Sequence, residues 1–175
     1  RMGTGMNGAD TDAAEEAGPD RIEDDLHRDG VDPVAAVGFG RQASSYASVR
    51  PSYPDPVTDV LRGLVKPGDD TLVCDLAAGT GILTKHLLEV GYRVTAVEPV
   101  EGMRAELISQ LASAGHGDVP VLNGTAEHVP LDDASVDAVT VGQAFHWFDP
   151  QPALLDIARI LKPGGVLLMV WNARD

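Results

Sequence analysis

The sequence predicts an α/β fold in which a mostly parallel, doubly wound sheet lies between two layers of helices. Short apolar segments alternate along the chain with segments whose apolar residues recur at helical spacing, from about residue 55 to residue 171. Glycine and proline residues separate these segments and mark their ends. Strands that alternate with helices pair in parallel through right-handed crossovers, so the pattern indicates a three-layer sandwich.

Each element of this alternation has its own start or stop signal. Asp55 and Pro56 suit the cap and first turn of a helix that runs through Val65, and Gly91 suits the left-handed end of a second helix. The predicted strands cover residues 71–75, 93–97, 119–122, 135–141 and 165–171. The predicted helices between them cover residues 82–90, 101–114 and 152–161.

Composition and charge limit the class of protein. The chain has 175 residues, of which 43% are hydrophobic, and a formal net charge of −14, which suits one compact domain. No apolar run reaches the ~18 residues of a membrane helix, and no basic stripe suits a phosphate backbone, so membrane and nucleic-acid partners are disfavoured. We expect a cytoplasmic protein. With one cysteine, Cys74, and no Cys and His cluster, the sequence predicts neither a disulfide nor a metal site.

Much of the negative charge lies in the first 36 residues. They hold ten Asp or Glu and three Lys or Arg, which gives −7 of the total −14. The same segment has no sustained apolar period, so burial cannot offset the entropy of ordering it. We expect residues 1–36 to form a disordered acidic tail and residues 37–175 to form the folded domain.

The segment 73–84, Val-Cys-Asp-Leu-Ala-Ala-Gly-Thr-Gly-Ile-Leu-Thr, is the most informative part of the chain. It predicts a buried strand that ends in an acid, then a tight turn, then a helix whose free amides point at the turn. Gly79 and Gly81 allow the backbone to approach a ligand where a side chain would clash. This arrangement is typical of a site for a nucleotide-like ligand.

The charge of Asp75 favours one kind of ligand over another. A carboxylate at the end of the strand would repel a pyrophosphate, but it would attract the amino group and the sulfonium of S-adenosylmethionine. The alternative is a dinucleotide, because Gly79, Gly81 and Thr84 nearly satisfy the G-x-G-x-x-G spacing and Glu98 lies where a ribose-binding acid is expected. The acid favours the methyl donor.

Polar and aromatic residues follow the other predicted strands at the same edge of the sheet. Glu98 follows the second strand and can accept hydrogen bonds from both ribose hydroxyls, and residues 125–127 follow the third. The loop 142–149 follows the fourth strand and carries three aromatic rings, which suit a sulfonium or seal a helix against the sheet. His146 in this loop is a candidate general base, a ligand contact or a packed histidine.

Together these motifs resemble class I S-adenosylmethionine-dependent methyltransferases, and most nearly the small-molecule, trans-aconitate methyltransferase-like subgroup. The resemblance covers about residues 38–171 and includes Tyr46 and the segment Arg50-Pro-Ser-Tyr-Pro54. It implies a Rossmann-like fold whose sheet usually has seven strands. The last strands of that sheet are missing here, so the resemblance implies a domain that is truncated after the fifth strand and incomplete at its C-terminus.

The resemblance also implies roles for individual residues. Those expected to bind the cofactor are Asp75, Ala77, Gly79 and Gly81 at the methionine end, Glu98 at the ribose, Ala126 and Glu127 at the adenine, Gln143 and Ala144 near the sulfonium, and Tyr46 and Arg50 over the pocket. Arg50 could instead be an exposed ion-pairing residue, and Tyr46 could be a packing residue. Trp147 and Phe145 are expected at the acceptor, with packing as the alternative for Phe145. Ala77 replaces the family's first turn glycine, which is costly if its backbone is left-handed.

The expected activity is in-line transfer of a methyl group from S-adenosylmethionine to a small-molecule acceptor. His146 is the candidate catalytic base. Two alternatives remain open: a cofactor-binding module without activity, and an NAD-dependent oxidoreductase. An apolar fifth strand with one unpaired side is expected either to be covered by a partner chain, such as a second copy, or to belong to a longer protein.

Overall fold

A computed structural model describes residues 56–171 of the chain. Its elements in chain order are α1 (Pro56–Leu64), β1 (Gly68–Leu76), α2 (Ile82–Val90), β2 (Tyr92–Val97), α3 (Glu101–Ser113), β3 (Val121–Leu122), β4 (Val136–Gly142), a 3₁₀ turn (Phe145–Trp147), α4 (Pro150–Ile160) and β5 (Leu161–Val170). The strands form one sheet in the order β3-β2-β1-β4-β5, and every neighbouring pair is parallel. The predicted fold class is confirmed.

Helices cover both faces of the sheet. On one face, Cys74 and Leu76 of β1 belong to a buried cluster with Ala153 and Ile157 of α4. On the other face, the neighbouring Val73 belongs to a cluster that contains buried leucines of α1 and α2. A third cluster joins Ala96 of β2 to α3. Because consecutive strand residues point to opposite faces, this alternation fixes β1 as the centre of a three-layer sandwich.

Most predicted boundaries agree with the structure to within a few residues. Helix α2 has the predicted bounds, and Gly91 ends it in a left-handed conformation with φ of 98°. Helix α4 begins at Pro150, two residues before its predicted start, because proline suits the first helical position. Strand β5 begins at Leu161, four residues early, because Leu161 pairs with Val136 before an irregular stretch after which regular pairing resumes.

Some predictions fall outside residues 56–171. These are the acidic tail, the Asp55 cap, and the roles of Tyr46 and Arg50. Within the described range, no helix combines the length and apolar character that a membrane crossing requires.

Candidate functional site

The candidate site lies at the carboxyl edge of the sheet, where the turn after β1 adopts left-handed conformations at three residues. The φ angles are 55° at Ala77, 59° at Gly79 and 86° at Gly81. The turn is closed by a hydrogen bond from the Gly81 amide to the Ala78 carbonyl at 3.0 Å. Glycine adopts these angles freely, but a left-handed alanine costs roughly 1–2 kcal/mol. Ala77 has this left-handed backbone, so alanine is a costly replacement for glycine at this position.

The two turn glycines have different surroundings. A methyl group built on Gly81 would overlap the side chain of Leu107 on α3, so Gly81 is required for packing. A methyl group built on Gly79 would meet no atom of residues 56–171 within 4 Å. The described part of the chain therefore leaves open space at Gly79, at the carboxyl edge of the sheet, which is where open parallel sheets bind their ligands.

Asp75 lies beneath this turn, with both carboxylate oxygens engaged by threonine hydroxyls. Thr84 donates to Oδ2 at 2.6 Å and Thr140 donates to Oδ1 at 3.0 Å. Asp75 is 1% exposed and both threonines are buried. Burial, opposed by the two threonine hydrogen bonds and reinforced by the nearby charge of Glu98, raises the pKa of Asp75 to about 6. Because Asp75 is almost fully buried, any influence that it has on a ligand acts through its charge and through the position of α2.

Glu98 connects β2 to the glycine turn. Its Oε2 accepts a hydrogen bond from the Gly79 amide, and its Oε1 accepts one from the Val100 amide, both at 2.9 Å. Burial raises the pKa of Glu98, while these two hydrogen bonds and the charge of Arg104 oppose that effect. Each carboxylate oxygen has a second lone pair. Glu98 can therefore hold the turn and still accept a hydrogen bond from a ligand hydroxyl.

Arg104 is a part of the site that the sequence analysis missed. Its Nη1 donates hydrogen bonds to the carbonyls of Glu98 and Pro99 and, at 3.0 Å, to Oδ1 of Asn123. One side chain on α3 thus joins the ends of β2 and β3. A cation six residues after a strand-ending acid was the only available signal, and it is too common to be specific.

The loop after β3 contacts the loop after β4 through Glu127. Its Oε1 accepts a hydrogen bond from the Asp149 amide at 2.9 Å. Its Oε2 is buried and has no hydrogen-bond partner among residues 56–171. Ala126, the other residue expected at the adenine, is 4% exposed and belongs to the core cluster with Val129. The two predicted residues are adjacent, but Ala126 offers mainly its backbone to a ligand.

The loop after β4 begins with a strained residue. Gln143 has φ of 55°, and its amide donates to the Val170 carbonyl at 2.8 Å, which fixes the loop to β5. Ala144 follows and is buried in the core. Left-handed residues other than glycine concentrate at functional sites. Gln143 and Ala77 both have this conformation, and they follow the neighbouring strands β4 and β1.

The aromatic residues of this loop divide into two pairs. Phe145 and Phe148 are half-buried against the core, with ring centroids 5.5 Å apart in an edge-to-face arrangement. His146 and Trp147 are exposed, with ring centroids 4.8 Å apart. The placement of Phe145 favours packing, the alternative to its predicted acceptor contact. Within the described chain, no group hydrogen-bonds to the His146 ring, so nothing there orients it as a base.

The residues of the site fit a cationic ligand such as S-adenosylmethionine. The open space at Gly79 lies beside two buried carboxylates, Asp75 and Glu98, and neither forms an ion pair within residues 56–171. A positive ligand would supply the missing charge, whereas a diphosphate would be repelled. The same residues contain no group of three or more side chains placed to hold a metal ion.

Comparisons with known proteins agree with this geometry. A model of the methyltransferase domain family matches residues 74–169. An uncharacterized methyltransferase of Mycobacterium tuberculosis is 46% identical over 140 residues, which are 80% of this chain and 54% of that protein. Malonyl-[acyl-carrier protein] O-methyltransferase of Serratia marcescens is 34% identical over 137 residues, 77% of this chain and 51% of that protein.

Solved structures show the same architecture. A SAM-dependent methyltransferase from Thermotoga maritima is 29% identical, with a TM-score of 0.56 over 75% of this chain and 58% of that one. A structure from Methanococcus maripaludis, 21% identical, shares the fold with a TM-score of 0.61 over 77% of this chain and 62% of that one. The chain spans about half the length of the curated relatives it matches. It belongs to the methyltransferase domain family, whose fold implies S-adenosylmethionine as the cofactor.

Proposed function

We propose that this protein transfers a methyl group from S-adenosylmethionine to a small-molecule acceptor by in-line displacement. One observation carries the proposal: the open space at Gly79 lies beside the buried acids Asp75 and Glu98, which have no ion-pair partner in the described part of the chain. S-adenosylmethionine, when bound, supplies a methyl group on a positively charged sulfur. The negative charge of the site and the charge of this donor are complementary.

The residues of the chain would bind and orient the reactants. Glu98 would hold the ribose hydroxyls while it keeps the glycine turn in place through the Gly79 amide. Asp75 would contribute its negative charge from below the turn, and Gln143 would approach the sulfur from the strained start of its loop. Correct orientation of two reactants is worth roughly 7–11 kcal/mol. A protein that orients the two reactants this well needs little covalent catalysis of its own.

The acceptor is proposed to be a small molecule of the trans-aconitate type, whose carboxylate oxygen takes the methyl group. A carboxylate is a nucleophile without a base, and the ring of His146 has no hydrogen-bonded partner among residues 56–171 to orient it. The Serratia relative, by its name, methylates an oxygen of a malonyl group. The net charge of −14 argues against nucleic-acid acceptors.

The proposal extends to assembly and location. Strand β5 pairs with β4 on one side, and no other described strand lies on its free side. Met169 and Trp171 beside that edge are 40% and 50% exposed. We propose that a second copy of the chain covers this edge and that the protein is cytoplasmic. Light scattering that finds only monomers at high protein concentration would contradict the proposed dimer.

Calorimetry separates this function from its alternatives. The chain is titrated with S-adenosylmethionine, S-adenosylhomocysteine and NADH in turn. Binding of the first two without NADH, followed by methylation of a small carboxylic acid, supports the proposal. Binding without transfer to any acceptor supports a module without activity, and binding of NADH alone supports an oxidoreductase.

A further inference from the structure

A hydrogen bond from one loop to another holds the end of the β4 loop in place. Glu127 Oε1 accepts the amide hydrogen of Asp149 at 2.9 Å, across 22 residues of sequence. Asp149 is the residue that precedes α4, and it follows His146, Trp147 and Phe148 directly. The carboxylate of the β3 loop therefore fixes the point at which the aromatic loop ends and α4 begins.

The sequence around Asp149 gives this hydrogen bond unusual weight. The first turn of α4 contains Pro150 and Pro152, which have no amide hydrogen to donate. The Asp149 carbonyl accepts the Ala153 amide, which is a hydrogen bond of the first helical turn. The Asp149 amide, just before the helix, donates to Glu127. At the other end of the loop, the Gln143 amide donates to the Val170 carbonyl. The loop is thus held at both ends, and Glu127 holds the second end.

The other oxygen of Glu127 is the unusual feature. Oε2 is buried, and no donor reaches it from any residue of the described chain. A buried carboxylate oxygen without a donor costs free energy, and that cost is recovered when a donor arrives. Because Oε1 is already used by Asp149, a donor on Oε2 would fix the whole carboxylate in one orientation.

We propose that Glu127 is a positioning residue that links occupation of the cofactor site to the order of loop 143–149. A donor group of the bound cofactor hydrogen-bonds to Oε2, and the fixed carboxylate then holds the Asp149 amide through Oε1. The exposed pair His146 and Trp147 is thereby set in place for the acceptor. This inference rests on the proposed function, since it requires a cofactor bound beside the β3 loop.

Trp147 can report this link directly. The chain has two tryptophans, so Trp171→Phe leaves Trp147 as the only one. In that background, the full chain is titrated with S-adenosylhomocysteine, and Trp147 fluorescence and its acrylamide quenching are followed. We compare Glu127→Gln, which keeps one oxygen for the Asp149 amide and lacks the second, with Glu127→Ala, which lacks both.

The two variants should fail in different ways. Glu127→Ala should raise the quenching of Trp147 even without ligand. Glu127→Gln should quench like the parent without ligand, but should lose most of the ligand-induced change and bind about tenfold more weakly. Asp137→Asn is the control for general destabilisation, because Asp137 accepts the distant Leu72 amide and pairs with Lys162 at the end of β4 opposite the loop. It should lower stability and leave the Trp147 response intact.

The outcomes separate the link from the proposed function. Parental quenching in Glu127→Ala, or a parental ligand response in Glu127→Gln, would overturn the link. Equal loss of the response in Asp137→Asn would also overturn it, since general destabilisation would then explain the effect. Failure of the parent to bind S-adenosylhomocysteine would refute the proposed function, while the quenching without ligand would still test the contact between Glu127 and Asp149.

Discussion

Thr84 donates a 2.6 Å hydrogen bond to Asp75 and so ties the first turn of α2 to the end of β1. Thr140 of β4 donates to the second oxygen of the same carboxylate at 3.0 Å. Three elements are thus joined below the glycine turn by buried side chains, and no ion pair within residues 56–171 neutralises the acid. The site keeps negative charge in place for a cationic ligand.

Loss of the Thr84 hydroxyl should destabilise the fold. Thr84→Val keeps the shape of the side chain but removes a donor from a buried carboxylate, which should lower the free energy of unfolding by about 1–3 kcal/mol. Thr84→Ser keeps the hydroxyl and is the control, with a smaller expected loss. Urea unfolding measures both variants. Equal stability of Thr84→Val and the parent would mean that the hydrogen bond contributes nothing net.

Asp75 should make stability fall as the pH rises. Burial, the largest cause, raises its pKa from 3.8 to about 6, so the folded state binds this proton more tightly than the unfolded chain. Its contribution is fully present below about pH 3.8 and is lost as the pH rises through about 6. Between those pH values, the stability difference between the parent and Asp75→Asn should change by about 1–3 kcal/mol. A difference that does not vary with pH would contradict this.

The same carboxyl should make cofactor binding depend on pH in the opposite sense. A cationic ligand favours the ionised form of Asp75, so the affinity for S-adenosylmethionine should rise with pH and level off above about pH 6. Below that value the change should approach about tenfold per pH unit. Calorimetry at several pH values measures it, and Asp75→Asn should flatten the profile. A parent profile as flat as that of the variant would rule out this role.

Gly79→Ala should abolish cofactor binding without a clash among residues 56–171. The added methyl group has no neighbour within 4 Å in the described range, and it occupies the open space beside the acids. Gly164→Ala is a matched control, because Gly164 also has positive φ and no described atom near its added methyl group, but it lies in β5 away from the turn. Both variants should lose roughly 1–2 kcal/mol of stability, and only Gly79→Ala should lose binding by calorimetry. Retained binding in Gly79→Ala would place the ligand elsewhere.

Ala77→Gly should stabilise the protein. Ala77 has φ of 55°, a conformation that costs alanine more than glycine gives up in chain entropy. The net gain should be about 0.5–1 kcal/mol, measured by thermal or urea unfolding. Ala78→Gly in the same turn lacks this benefit, because Ala78 does not have positive φ, and should be destabilising. A destabilised Ala77→Gly would mean that the left-handed alanine carries no strain.

Much of the site could be predicted from sequence because its signals are local. The order of strand, acid, turn and helix around Asp75 is a pattern of neighbouring residues. Gly91 predicts the end of α2 because glycine adopts the left-handed conformation freely. Glu98 was also found locally, from its position at the end of a predicted strand.

The contacts that organise the site could not be predicted, because they join distant residues. Glu98 accepts the Gly79 amide across 19 residues, and Glu127 accepts the Asp149 amide across 22. The positive φ of Ala77 is also set by the fold, since alanine alone does not prefer it. The role of Phe145 could not be predicted for the same reason. An aromatic loop residue packs on the core or contacts a ligand depending on the distant residues beneath it.

A crystal structure of the chain with S-adenosylhomocysteine would show whether the glycine turn and its two acids hold the cofactor. We expect the ligand to lie over Gly79, with its ribose hydroxyls on Glu98 and its amino group on the side of Asp75. S-adenosylhomocysteine bound away from Gly79, or NADH bound there in a parallel soak with its diphosphate over the glycine turn, would contradict this assignment.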